Sequence, residues 1–252
     1  MDEEIDIIRY KLAELEKENE KLKSKSTESQ ENNTEIRKSK ILIVEGNHER
    51  DFFETWLKKL NRDDIQVMPI GGKTNLKPNF KLIVDRSNFG DVESILITRD
   101  ADGSYENAFQ SVCDVLQDKR VTDSLKNKSK EIILRIPESA WTFTKDTTPR
   151  ICVAILPGVN KVGALEELLI QTIDNDPMSE KSHNFIEDAL VTLDDSGYRS
   201  PPPLHRVGKA KIHAFLATFE EPDKDQGKAA LAGVWKFGHK ALDPLRSILE
   251  EL

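Results

Sequence analysis

The sequence predicts an α/β fold, a parallel sheet flanked by helices, with a helical C-terminal part and an N-terminal coiled-coil helix. Three observations lead there. Short apolar runs alternate with segments whose apolar residues recur at helical spacing. The connections between them are short, which favours strand–helix–strand units and a parallel sheet with helices on both faces. Two of the apolar runs end abruptly in acids, Glu45 and then Asp100-Ala101-Asp102. Open α/β sheets hold ligands at the carboxyl ends of their strands, which makes these acids candidate site residues.

Residues 3–24 carry heptads. Ile5, Leu12 and Asn19 share one position, and Ile8, Leu15 and Leu22 fall three residues later. This seam predicts a coiled coil over 1–25, and Asn19 at a core position favours a parallel homodimer in register because an unpaired buried amide is costly. Residues 26–38 have almost no apolar side chains and read as a flexible linker. The α/β domain is expected over 39–156 and a helical part packed on it over 157–252.

Within that domain the first strand is 40–44. A helix over 47–60 follows, with Phe52, Phe53, Trp56, Leu57 and Leu60 on one face. Ile65 to Ile70 make the second strand, Gly71-Gly72-Lys73 a turn, and 75–86 a helix. The third strand is 93–99 and the next helix 104–118. Residues 119–130 are polar and basic and read as a loop; 132–136 and 141–143 read as short strands. Arg150 to Leu156 form a strand stopped by Pro157-Gly158. Helical spacing resumes over 163–173 and 181–193. Pro201-Pro202-Pro203 breaks the chain before helices at about 206–219, 226–235 and 243–252.

Hydrophobic residues make up 37% and charged residues 33%, an apolar share that places part of the chain outside any core. The net charge of −8 argues against a simple binder of phosphate backbones. The charge is uneven, however: Arg199, Arg206, Lys209 and Lys211, with His205, form a basic stretch without an acid. Cys113 and Cys152 lack metal-ligand spacing and read as small buried residues. No segment resembles a signal peptide or a membrane span, so a cytoplasmic protein without membrane association is expected.

Glu45, Asp100 and Asp102 follow strands of one parallel sheet, so all three are expected at the same edge. Hard oxygen ligands with open water positions suit Mg2+ or Mn2+, which polarise phosphoryl oxygens and activate water. Glu49, one helical turn after Glu45, faces the same way and is a further candidate ligand. The competing reading of Asp102 is plain turn chemistry in Asp-Gly. Lys73, after two glycines, reads as a turn residue and a candidate substrate contact; the spacing is not that of a phosphate-binding loop.

Val44-Glu45-Gly46 after a first strand, with Asp100-Ala101-Asp102 after a third, resembles a TOPRIM domain, the α/β module of topoisomerases, bacterial primases, recombination mediators and overcoming-lysogenization-defect nucleases. Gly71-Gly72-Lys73, Gly163 to Leu168, Lys209 to Leu216 and Gly227 to Ala230 extend the resemblance to a standalone bacterial TOPRIM family over nearly all of 39–252. The resemblance implies that Glu45 is an acid/base or metal-associated glutamate and that Asp100 and Asp102 carry metal. It also implies a later metal-binding Glu, which maps best to Glu166 with Glu167 the alternative, and a catalytic Lys, which maps to Lys209 or Lys211. It implies a metal-dependent nuclease acting on DNA or RNA; the basic 199–211 stretch, with Arg199 and Arg206, is expected from its charge to contact the substrate backbone, beside Lys73. Relatives of this type act in anti-phage defence. The alternative is a non-catalytic interaction module that dimerises, or docks a partner such as an ATPase, through residues 3–24.

Overall fold

The structure, a computed structural model, describes residues 34–252 except 127, 129–131 and 198. The heptad segment and most of the linker lie outside the described residues. Residues Ile36–Leu252 form one compact unit. Its strands are β1 (Lys40–Val44), β2 (Ile65–Pro69), β3 (Ser94–Asp100) and β4 (Arg150–Leu156). They make a single parallel sheet in the order β2-β1-β3-β4. Helix α1 (Asn47–Lys59) links β1 to β2, and α2 (Leu76–Asp85) links β2 to β3. Helices α3 (Tyr105–Leu116) and α4 (Lys119–Lys126) lie between β3 and β4. The chain ends in α5 (Leu165–Thr172), α6 (Pro177–Ser196), α7 (Val207–Leu216), α8 (Gln226–Leu231) and α9 (Asp243–Glu251).

The strands are apolar on both sides because both sides are covered. Successive side chains alternate between two cores. Leu42, Val44, Leu96, Cys152 and Ala154 join residues of α1, α5, α7, α8 and α9. Ile41, Ile43, Ile95, Ile97, Ile151 and Val153 join residues of α2, α3 and α4. In the first core Trp56 stacks on Phe237 at 5.6 Å between ring centroids, and Phe52 meets Phe237 at 5.4 Å. Such aromatic pairs contribute about 1 kcal/mol each beyond area burial. The last carbonyls of α9 accept hydrogen bonds from elsewhere in the fold. Arg62 donates to Leu249 O at 2.6 Å, and the Ser94 hydroxyl to Leu252 O at 3.0 Å. These donors replace the partners a helix end lacks.

Two local expectations are corrected. Residues 119–126 are helix α4, not loop. Val121 and Leu125, four residues apart, are buried in the second core, where the helix packs chiefly on α2, and six polar residues hide that pair in the sequence. Residues 132–136 and 141–143 are not strands. That segment meets the edge strand β4 through isolated bonds: Trp141 N–H to Val153 O at 2.8 Å, Thr144 N–H to Ile151 O at 2.9 Å and Ile151 N–H to Thr144 Oγ1 at 2.8 Å. Trp141 has φ +66°, which interrupts an extended run. Among the described residues no helix is long and apolar enough to cross a membrane.

Candidate functional site

The carboxyl edge of the sheet is where the site residues meet. Ile43 pairs with Ile97 in the β1–β3 register, so two steps further on Glu45 comes opposite Arg99. Arg99 Nη1 lies 3.7 Å from Glu45 Oε2, an ion pair without a hydrogen bond. Glu45 Oε2 and Arg99 Nε and Nη1 are buried with no hydrogen-bond partner. Burial pushes the Glu45 carboxyl up from its ordinary range, against the lowering pull of Arg99 and Lys73.

Asp100 is the last residue of β3 and, by strand alternation, points to the opposite face from Arg99. Its Oδ1 accepts a hydrogen bond from Leu165 N–H, the first residue of α5, at 3.2 Å. Burial pushes this carboxyl well above the carboxylate range, and the neighbouring charges of Glu166, Glu45 and Glu49 push it further. Asp102 is a turn residue whose carboxylate is free of the turn. Its backbone is a turn, with φ +48°, closed by reciprocal bonds to Gly163: Asp102 N–H to Gly163 O at 2.7 Å and Gly163 N–H to Asp102 O at 2.8 Å. Its carboxylate is left to face the crevice, where Lys73 Nζ donates to Oδ2.

The later residues come from the helical part. Glu166 is buried at 3% exposure; Gln226 Nε2 donates to its Oε1, and Lys209 Nζ stands 3.7 Å away. Glu167 is used otherwise. It accepts the Ala164 N–H at 2.6 Å and so caps α5. Its carboxyl fills the space beside Gly163 and Gly208, where any Cβ would collide with it. Of the two candidates, Glu166 is the one that reaches the crevice.

Glu45, Lys73, Asp100, Asp102, Glu166, His205, Arg206 and Lys209 line one crevice of about 320 Å³, with Ala164. Glu49 sits beside it on the first turn of α1, close enough for its charge to act on Glu45 and Asp100. Two candidates lie elsewhere. Lys211 is bonded to Glu187 of α6 at 2.6 Å, and Arg199 is exposed ahead of the proline run, outside the crevice lining. Arg99 and Gln226 were not singled out from the sequence. Arg99 adjoins Asp100 and was readable from strand register; Gln226 lies 60 residues from Glu166 and carries no local signal.

Among the described residues no three His, Cys, Asp or Glu side chains converge as a ready-made metal cluster. The donor set nevertheless fits a hard cation. It offers carboxylate oxygens, Glu45 Oε2 is a buried acceptor without a hydrogen-bond partner, and mutually repelling carboxylates surround the buried Asp100.

One protein-family model, described as "Protein of unknown function (DUF3226)", matches residues 39–252. The chain belongs to the DUF3226 family. The DUF3226 match begins just before β1 and includes every residue of the crevice. A search of curated proteins gives no match. Among solved structures, this DUF3226 chain is similar to the C-terminal region of the Xanthomonas campestris pv. campestris OLD protein phased with mercury. The identity is 17% and the TM-score 0.40, over 86% of this chain and 95% of that one. The same region phased with platinum gives 19% identity and a TM-score of 0.34, over 84% and 94%. Identities and scores at this level do not transfer a function.

Proposed function

We propose that the crevice of this DUF3226 protein binds Mg2+ or Mn2+ and hydrolyses phosphodiesters of nucleic acid, the activity of the TOPRIM-type nucleases that its sequence resembles. The observation that carries the reading is the convergence, on one sheet edge, of Glu45, Asp100, Asp102 and Glu166 with Lys73, Arg206 and Lys209. Asp100, Asp102, Glu45 and Glu166 would hold the cation. Bound there, it would polarise a phosphoryl oxygen and make water a nucleophile near neutral pH. Glu45 would take the proton of the attacking water, a role supported by an Oε2 that has no hydrogen-bond partner. Lys209, 60% exposed at the mouth, is placed to offset charge growing on the phosphate. Arg206 and Lys73 supply contacts to the phosphate backbone, which position a substrate without reading its sequence.

The test is cleavage of plasmid DNA and of RNA with Mg2+ or Mn2+ by wild type, Glu45→Gln and Asp100→Asn. Both variants are expected to lose about a hundredfold or more in rate. Equal cleavage by all three proteins would remove the assignment.

A further inference from the structure

We infer that Lys73 is a phosphate-contacting side chain held in reserve by Asp102, so that a divalent cation and a polyanion bind the crevice synergistically; this rests on the reading of the crevice given above. Three of the crevice carboxylates stand against a cationic side chain. Asp102 is bonded to Lys73, Glu166 lies 3.7 Å from Lys209, and Glu45 lies 3.7 Å from Arg99. Asp100 has the Leu165 N–H as its hydrogen-bond donor. Arg206 is also at the crevice. A crevice whose cations already stand against carboxylates, on a chain of net charge −8, gives a polyanion little reason to enter. A cation held by Asp100 and Asp102 changes both conditions at once. It makes the crevice positive, and it competes with the Lys73 ammonium for the Asp102 carboxylate.

The exchange asks little of the fold. The Lys73 turn is fixed from behind: Gly72 N–H donates to Glu45 O at 2.8 Å, and Asn75 Nδ2 donates to Gly71 O at 2.6 Å. Gly71 and Gly72 have φ +71° and +102°, conformations that L side chains rarely adopt. Asp102 is fixed by its paired bonds to Gly163. Only two side chains have to rotate, and these are 37% and 30% exposed. Arg99, 13% exposed, lacks that freedom, and Lys209 faces a Glu166 oxygen that Gln226 already satisfies. Lys73 is therefore the cation that metal binding releases toward a phosphate. Because binding free energies are reciprocal, the polyanion must tighten the cation by the same factor.

The experiment measures affinity, not turnover. Full-length protein is titrated with a short labelled DNA duplex, and separately with RNA, in EDTA and in Ca2+. Ca2+ is also titrated by calorimetry with and without each oligonucleotide. Wild type is expected to show a gain of about tenfold or more, equal in both directions. Lys73→Met is expected to bind Ca2+ at least as tightly as wild type, because the competing ammonium is gone, and to lose most of the gain. Lys73→Arg should keep it. A melting temperature unchanged in Lys73→Met would show that the backbone-held turn persists. An equal gain in wild type and Lys73→Met, or weaker Ca2+ binding by Lys73→Met, would overturn the inference. Independent binding of cation and oligonucleotide by wild type would overturn it while leaving the crevice reading intact. Absence of any cation binding by wild type would remove both.

Discussion

Asp100 carries an unusual load for one carboxylate: it is buried at the tip of β3, near three other acids, with one backbone hydrogen bond. Its carboxyl is pushed well above the ordinary range, so the folded chain holds that proton more tightly than the unfolded chain does. The stability this gives is fully present below the unfolded value and is lost as pH rises through the folded one. Asp100→Asn is therefore expected to melt higher than metal-free wild type near neutral pH. Mn2+ should raise the melting temperature of wild type by mass action and leave that of Asp100→Asn unmoved. A Mn2+ shift of equal size in both proteins would exclude Asp100 as a ligand. The thiols make a second case in which burial sets reactivity. Cys152 is fully buried and its thiol is pushed up to about 12; Cys113 is buried and raised as well. Thiolate is the reactive form, so neither residue should be alkylated by iodoacetamide in the native protein at neutral pH, and both should react once it is unfolded. Mass spectrometry of labelled peptides checks this directly.

At the level of elements, α4 shows how little apolar surface can place a helix. Val121 and Leu125 anchor it in the second core, chiefly against α2. Leu125→Ala should cost about 2 to 3 kcal/mol, read as a lower denaturation midpoint with an unchanged slope. A loss under about 0.5 kcal/mol would show that the helix contributes little to that core. The same helix marks a limit of reading by pattern, since a helix with only two buried residues has too few apolar positions to show a period. The four strands were legible because each is a short apolar run between breakers, and β1 matches its expected bounds of 40–44. Residues 132–144 misled for the opposite reason. Ile132, Leu134 and Ile136 are apolar because they pack onto the second core, without joining the sheet. In the crevice, Glu45, Asp100 and Asp102 were legible because an apolar strand gives no local reason to end in acids. Glu166 was already the better match of the two, but the reason Glu167 stays out of the crevice was not legible. It depends on Gly163 and Gly208 leaving a hole that the Glu167 carboxyl fills, and that is a long-range packing fact. Gln226 is the same kind of case, a partner brought to Glu166 only by the docking of α8.

Considered whole, the unit Ile36–Leu252 contains both cores and the crevice. A fragment of residues 36–252 should therefore fold and melt within a few degrees of the full chain, a shift of about 1 kcal/mol at most. Sedimentation of the two proteins tests the proposed pairing through residues 3–24: a dimer for the full chain and a monomer for the fragment. Equal masses would remove that pairing. The two faces of the sheet also differ in the stretch of chain that builds them. The second core draws on residues from Ile36 to Ile155, whereas the first needs residues as late as Leu252. Synthesis runs from the N-terminus at about 5 to 20 residues per second, so one face can close while the other still lacks its helices. During that interval Glu45, Asp100 and Asp102 are already made, but Glu166, Lys209 and Gln226 are not yet in place. In the proposed reading, the crevice would thus stay unfinished beside the message and the ribosomal RNA that produce it until α7 and α8 have emerged.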